Sequence, residues 1–392
     1  MSAKTPITGV VWEDNIKKAV ALIQEKKRFL FAASLDPDSV GSMVSLALYL
    51  NLLGKKAHLI IKESLGSNFD FLEKIIHHNK IEVLTSLEQL QGIKKEVDLV
   101  MFFDTANSKL LPFYAAIKEN FLSQELPVIE FDHHFGSDSE ELSANSVKLY
   151  RKANANTEII AELLLQLHEK DPAQPHPFTR RNILLPLITG LLSDTVNGKV
   201  IHFKEDYEYW MEKLGKSLKK ETYAENSQTK NFSDQRQVSE HIHTLAEDQK
   251  LCLELMSGRI VMDKGLGMIN LLDSTYPEVK YFCQPYNTPW FSEVRDFLLN
   301  MVPEKAGKVG ILCYHGKDST GADCAYIKMR RSTQYQGYDL RGAEDTVRET
   351  FGDLYMGGGG HAGAVSFRIQ PQEDEQFLAG VARISSFIKK NL

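Results

Sequence analysis

At 392 residues, with 43% hydrophobic content and a net charge of −6, the chain has the length of two or three domains and the composition of a folded protein, not a disordered one. The negative balance excludes the global positive field that draws proteins to long duplex nucleic acid, so a polyanionic partner has to be short and held by a local cluster. No run approaches the roughly 18 uninterrupted apolar residues of a membrane span, and Met1 to Val10 carries no charged-then-apolar leader, so the expectation is a cytoplasmic protein without a membrane partner.

In chain order, Trp12 to Lys26 spaces Ile16, Val20, Leu22 and Ile23 among charges as an amphipathic helix does. Arg28 to Ala33 reads as a strand. It is followed by Ser34-Leu35-Asp36-Pro37-Asp38-Ser39 and a mostly apolar helix from Val40 to Leu53, with Asp38 or Ser39 as cap and Gly54 as stop. Asp36 and Asp38 are either a capping pair around Pro37 or a clasp for a metal, and Gly41 would leave the helix start open to an anion. A strand at Ala57 to Ile61 and a helix from Phe69 to His77 come next. The pair His77-His78 sits at the polar end of that helix and reads as surface.

The strand Val97 to Phe103 ends in Asp104-Thr105, and the apolar run Leu126 to Ile129 leads into Glu130-Phe131-Asp132-His133-His134. Asn156-Thr157-Glu158 opens an amphipathic helix to His168, capped by Asn156 or Thr157. The apolar stretch Ile183 to Leu192 leads into Ser193-Asp194-Thr195. Strands alternating with helices over this length predict a mostly parallel α/β sheet with right-handed crossovers. Its carboxyl edge would gather Asp36, Asp38, Asp104, His133, His134 and Asp194. Hard oxygens with one or two imidazoles suit manganese, magnesium or iron in a two-metal site.

The apolar pattern thins after Val200, and residues 201–256 read as a linker with a polar helix from Ser239 to Met256. The expected division is residues 1–200, the linker, and a smaller α/β domain at 257–392. That domain is predicted to hold strands near Met268 to Leu272, Val309 to Tyr314 and Ala325 to Met329, helices at Phe291 to Met301 and Leu340 to Glu349, and a closing helix after Asp374. Its run Gly357 to Gly360 before His361 is either a flexible loop or a cradle of amides for an anion. Among the dibasic pairs Arg180-Arg181, Lys219-Lys220 and Arg330-Arg331, the last ends a strand near that run. The cysteines Cys252, Cys283, Cys313 and Cys324 lack CxxC spacing and are expected to be reduced core thiols.

Together, Asp36-x-Asp38 with Gly41-Ser42, Asp104-Thr105, Asp132-His133-His134, Asp194-Thr195 and Gly357-Gly358-Gly359-Gly360-His361-Ala362-Gly363 resemble the motifs of the DHH phosphoesterases, the last being similar to the DHH-associated domain of nano-RNases and RecJ-like exonucleases. The resemblance implies one metal on Asp36 and Asp104 and another on Asp38, Asp104, His133 and Asp194, with Asp104 bridging. Asp132 would orient its neighbours, and His134 would contact phosphate or donate a proton. Arg331, Ser332, Gly358, Gly359, Gly360 and His361 would bind substrate in a cleft between the domains. The implied activity is metal-dependent hydrolysis, with Mn2+ or else Mg2+, Co2+ or Fe2+, of short oligonucleotides, linear or cyclic dinucleotides or 3',5'-bisphosphorylated adenosine; the sequence leaves the oligomeric state open, a homodimer included. One position departs from the pattern. Ala32 stands where the nano-RNase and pyrophosphatase branches carry a ligand histidine, which keeps open a polyphosphatase-like hydrolase or a non-catalytic nucleotide-binding descendant.

Overall fold

The computed structural model describes residues 4–136, 139–198, 200–220, 232–272, 289–318 and 321–392. They form two compact α/β units that divide between Thr244 and Leu245. In the first unit, six strands are β1 (Arg28–Ala33), β2 (Lys56–Ile60), β3 (Glu82–Leu84), β4 (Leu99–Phe103), β5 (Val128–Asp132) and β6 (Val147–Tyr150). All pair in parallel, in the order β3-β2-β1-β4-β5-β6. Each residue of β4 and β5 is buried, as expected of a parallel sheet covered on both faces. Helices α1 (Gly9–Glu25), α2 (Pro37–Leu52), α3 (Asp70–His78), α6 (Asn156–Lys170) and α7 (Arg181–Asp194) cover the face of Phe29, Phe31, Phe103 and Phe131. Helices α4 (Leu87–Gly92) and α5 (Tyr114–Asn120) cover the face of Leu30, Ala32, Val100 and Phe102.

The strand order reverses between β1 and β4, and the register sets Ala33 beside Phe103. The loops leaving these two strands therefore part above and below the sheet, which opens a crevice at their carboxyl ends. Asp36, not Asp38 or Ser39, caps α2, whose first residue is Pro37; proline suits that position because its missing N–H would have no intrahelical partner. Gly41 does not leave room for an anion. A Cβ there would lie 2.5 Å from the Pro186 carbonyl oxygen, so Gly41 serves the close crossing of α2 and α7. On the other side of that crossing, a Cβ on Gly190 would lie 2.5 Å from both Asp38 Oδ1 and Thr157 Cγ2.

The polar stretch expected to begin the linker folds onto the first unit. Helix α8 (Lys204–Lys220) buries Trp210, Leu214 and Leu218 against its core, and α9 (Gln235–Ile242) buries Val238 and Ile242. A narrow apolar stripe at helical spacing suffices for this, although overall composition hides it. The link itself is residues 243–246, which interrupt what the sequence suggested as one helix; residues 221–231 lie outside the described set.

The second unit has α10 (Glu247–Ser257), β7 (Val261–Asp263), β8 (Leu266–Leu271), α11 (Pro289–Ala306), β9 (Val309–Lys317), β10 (Asp323–Arg331), α12 (Glu344–Phe351), β11 (Tyr355–His361), β12 (Ala364–Ile369) and α13 (Asp374–Asn391). Its six-stranded sheet runs β11-β12-β10-β9-β8-β7, parallel only between β8 and β9. Helices α10 and α11 cover one face, α12 and α13 the other. The glycine run is not a flexible loop but most of strand β11, set at the sheet edge against β12 with Gly358 opposite Phe367 and Gly360 opposite Val365. Cys313 and Cys324 are free and buried. Cys252, by contrast, is in a disulfide, so the expectation of reduced thiols fails there, because spacing along the chain does not reveal spatial neighbours. Cys283 lies outside the described residues. Among the described residues no helix is long and apolar enough to cross a membrane.

The α2–α7 crossing yields a stability test. Gly190→Val should cost about 1–3 kcal/mol by overpacking, whereas Gly92→Ala, with no atom within 4 Å of the new Cβ, should stay within about 0.5 kcal/mol. Urea unfolding of the two variants checks the difference, and equal stabilities would contradict the packing described.

Candidate metal centre

Four chain segments deliver acidic or imidazole side chains to the crevice between β1 and β4. Asp36 and Asp38 begin α2, Asp104 follows β4, Asp132 ends β5 with His133 and His134 just beyond, and Asp194 closes α7. Asp104 adopts a left-handed φ of 48°, a conformation aspartate tolerates better than most side chains. Its amide still donates to the Phe131 carbonyl at 2.8 Å, so the chain turns out of the sheet without leaving β5.

His133 is the hub. Its Nε2 lies 3.1 Å from Asp104 Oδ1, 3.3 Å from Asp194 Oδ2 and 3.8 Å from Asp38 Oδ2. Its Nδ1 faces the Ala153 carbonyl at 3.2 Å; an Nδ1–H donating there leaves Nε2 with a free lone pair, the arrangement that orients a metal-binding imidazole. Two groups have ligand atoms within 4.8 Å of one another, namely Asp38 with His133 and Asp194, and Asp104 with His133 and His134. Asp104 Oδ1 and His133 Nε2 are both buried and face each other at 3.1 Å, so with the proton on Nδ1 two acceptors meet with no donor between them. Buried polar atoms are seldom left so, and an oxygen and an imidazole nitrogen converging in this way fit a divalent cation.

Asp38 is fully buried, and its carboxylate accepts from the amides of Asn156 (to Oδ2) and Thr157 (to Oδ1, 2.9 Å). Asn156 and Thr157 were expected to cap α6 themselves. Instead the residue before the helix, Ala155, offers no side-chain cap, and Asp38 supplies one from across the fold.

Asp36 is placed differently. Its Oδ1 accepts from the amides of Asp38 (3.0 Å) and Ser39 (2.9 Å), and its Oδ2 faces the hydroxyls of Ser34 (2.8 Å) and Ser39 (2.7 Å). Ser39 Oγ also stands 3.1 Å from Asp104 Oδ2, so one hydroxyl links the two carboxylates. Both readings of Asp36 thus meet in one residue: it caps α2 and lies beside the cluster, without belonging to either ligand group. Ala32 is buried on the sheet face covered by α4 and α5.

Asp132 Oδ1 accepts from the amides of His133 (2.8 Å) and His134 (3.1 Å) and from His134 Nδ1 (2.8 Å). His134 remains 46% exposed at its side chain and also approaches Asp104 Oδ1 at 3.4 Å. Sequence reasoning missed the other partner of Asp132, the buried Lys4. Its Nζ donates to Asp132 Oδ2 at 2.6 Å and to the Thr105 carbonyl. No local signal could have found it, because 128 residues separate the pair.

The charges explain the titration of the metal-free cluster. Burial, with the negative charges of Asp104 and Asp194, pushes Asp36 up to about 7. The same causes push Asp38 well above the carboxylate range. Burial would raise Asp104 and Asp132 too, but the neighbouring histidines hold Asp104 below its ordinary value, and His134, Lys4 and His133 hold Asp132 lower still. Burial would lower His133 and His134, yet Asp104 and Asp194 drive the first well up, and Asp132 with Asp104 raises the second.

In the second unit, strand phase separates the two arginines. Arg330 turns to Asn300 on α11, while Arg331 faces the glycine hairpin. The Arg331 amide donates to the Gly363 carbonyl at 2.9 Å, and its guanidinium donates to the Tyr338 carbonyl (3.1 Å) and Gln336 Oε1 (2.9 Å). Ser332 is buried, with its hydroxyl donating to the Gly307 carbonyl at 2.9 Å. His361 Nδ1 accepts from the Gly363 amide at 3.2 Å. Gly358 and Gly360 are required by close approach: a Cβ would lie 2.5 Å from the Ser366 carbonyl at the first and 2.2 Å from the Ala364 carbonyl at the second. Gly359 lies between them, opposite Ser366.

Residues 30–191 match the DHH family, N-terminal domain. That stretch holds Asp36, Asp38, Asp104, Asp132, His133 and His134 and stops just short of Asp194. An exopolyphosphatase-related protein from Bacteroides fragilis is similar in structure with a TM-score of 0.68 at 14% identity, over 98% of this chain and 100% of that one. RecJ in complex with Mn2+ from Thermus thermophilus gives 0.52 at 14% identity, over 95% of this chain and 54% of that one. An exonuclease RecJ bound to manganese gives 0.50 at 16%, over 99% and 95%. At these identities the likeness establishes the two-domain α/β fold. No curated protein matches the chain in sequence.

The raised carboxyls set a pH dependence. A group near 3.8 when unfolded and near 7 when folded contributes stability that is present below the lower value and lost as pH rises through the upper one. Asp38, His133 and His134 act in the same direction. The metal-free chain in EDTA should therefore melt lower at about pH 8 than at about pH 5.5, and added Mn2+ should restore the loss at the higher pH. Calorimetry at both values checks this, and the opposite order without Mn2+ would contradict it.

Proposed function

We propose that the chain is a metal-dependent phosphoesterase acting on short nucleotide substrates. The carrying observation is the convergence of Asp38, Asp104 and Asp194 on His133 Nε2, with the buried Asp104 oxygen 3.1 Å from that nitrogen and no hydrogen-bond donor from the rest of the fold on either atom. Asp38, His133 and Asp194 would hold one cation, with Asp104 shared towards a second beside Asp36; Mn2+ is the leading candidate, then Mg2+, Co2+ or Fe2+. Cations held there polarise phosphate oxygens and make water nucleophilic near neutral pH.

The protein's own groups have separable tasks. The amides of Asn156 and Thr157 hold the Asp38 carboxylate in one orientation, and the Ala153 carbonyl sets the ring of His133. With Nδ1 of His134 turned to Asp132, its Nε2 is the atom left to contact a phosphate oxygen or to donate a proton to the leaving oxygen. Arg331, beside the glycine hairpin and His361, has the planar fork that suits a terminal phosphate. These features support oligoribonucleotides of a few residues, linear or cyclic dinucleotides or 3',5'-bisphosphorylated adenosine as substrates. The structural likeness to exonuclease RecJ is in keeping with a nucleotide substrate.

A second reading has its own support. Each oxygen of Asp36 already faces two protein donors, and Ala32 contributes no ligand. The second cation would then bind weakly, as in a polyphosphate hydrolase with a different reach or a binding protein without turnover. The likeness to an exopolyphosphatase-related protein points the same way.

With Mn2+, the wild type should release mononucleotide from a dinucleotide or phosphate from 3',5'-bisphosphorylated adenosine. Asp38→Ala and Asp104→Ala should each lower that rate by at least about a hundredfold, the upper end of what losing a mere supporting contact to a metal ligand costs. Undiminished turnover in either variant would exclude the mechanism. Phosphate release from polyphosphate alone, or dinucleotide binding without turnover under all four metals, would move the assignment to the second reading.

A further inference from the structure

We propose that Lys4 is a positioning residue of the metal centre, acting through Asp132 on the paired histidines. Its Nζ donates to Asp132 Oδ2 at 2.6 Å and to the Thr105 carbonyl, with the side chains of Lys4 and Asp132 only 1% and 2% exposed. The inference rests on the metal reading above and adds to it a residue far outside the motif stretch.

The division of labour on Asp132 carries the argument. Its Oδ1 accepts from the His133 amide, the His134 amide and His134 Nδ1. Oδ2 is left to Lys4, so the carboxylate is gripped at both oxygens and cannot rotate without breaking one set. Lys4 also spans two strand ends. Thr105 follows Asp104 at the end of β4, and Asp132 precedes His133 at the end of β5, so one ammonium group ties together, beyond the strand pairing, the segments that carry Asp104 Oδ1 and His133 Nε2. It adds positive charge to a centre crowded with carboxylates, and it does so on one that, like Asp36, belongs to neither ligand group. No coordinating oxygen is consumed.

A purely structural pin would explain less. The amino-terminal segment is already tied by the Ile7 amide donating to the Tyr150 carbonyl at 3.1 Å. A buried ion pair is in general no more stabilising than apolar groups of the same volume, so placing an ammonium here, with its long side chain ordered, points to geometry as what is gained. Ligand-orienting partners of this kind characteristically alter metal affinity about tenfold to a hundredfold when removed.

The experiment measures Mn2+ affinity by electron paramagnetic resonance, and thermal unfolding without metal, on the full chain. The proteins compared are wild type, Lys4→Met, Lys4→Arg and Ile16→Ala, the last a truncation of a buried core side chain in α1. Lys4→Met should bind Mn2+ about tenfold to a hundredfold more weakly, Lys4→Arg should recover part of the loss, and Ile16→Ala should bind as wild type does despite a lower melting temperature. Wild-type affinity in Lys4→Met would overturn the proposal. So would an equal loss in Ile16→Ala, which would mark the effect as general destabilisation. A wild type that binds no Mn2+ would instead remove the metal reading, and this proposal with it.

Discussion

Two backbone amides at the start of α6 donate to the buried carboxylate of Asp38, and much of the first unit is arranged so that they can. The carboxylate sits in the first turn of α2, with Gly190 of α7 so close that a side chain there would strike it. Three helices therefore meet at one acidic group. A helix start carries unsatisfied N–H groups and a partial positive charge, so it both keeps a buried carboxylate in place and favours its charged form. The same contact that packs α2, α6 and α7 thus prepares a ligand atom beside His133.

Around that contact lies an excess of negative charge that burial alone would not tolerate. Asp36, Asp38, Asp104, Asp132 and Asp194 gather at one sheet edge, and burying a carboxylate without a partner is costly. The protein meets part of the cost with helix amides, serine hydroxyls, imidazoles and Lys4. At Asp104 Oδ1 that compensation comes from no group outside the cluster, and the atom facing it is His133 Nε2 at 3.1 Å. The crowded carboxylates therefore make Asp36, Asp38 and both histidines hold their protons to higher pH. A divalent cation would replace those protons, coupling metal affinity to pH. The different fates of Asp36 and Asp38 follow from their surroundings: the first faces local donors of its own helix start, the second faces a helix brought in from far along the chain.

The second unit solves a different problem with glycine. Antiparallel strands β11 and β12 approach so closely at Gly358 and Gly360 that a Cβ would meet backbone. Gly358 and Gly360 are thereby explained by sheet geometry before any ligand is invoked. What remains for a ligand is the side-chain arrangement beside it, where Arg331 and His361 both border Gly363.

The chain announced its first architecture well. Apolar runs such as Leu99 to Phe103 and Val128 to Phe131, each ending in acid, predict a buried parallel sheet with polar residues at its carboxyl edge, and that is where Asp104 and Asp132 lie. Motif spacing also singled out each of the carboxylates and imidazoles that the fold then drew together. Local sequence was weaker where a narrow apolar stripe decides packing, as in α8, or where glycines read as a loop but build a strand, as in β11. Two features were decided by tertiary structure alone: Asp38 capping α6 in place of Asn156 or Thr157, and Lys4 reaching Asp132. Periodicity and motifs record the preferences of neighbours along the chain. A contact across 118 or 128 residues leaves no mark in either, because it exists only once the sheet has set the distance between strand ends.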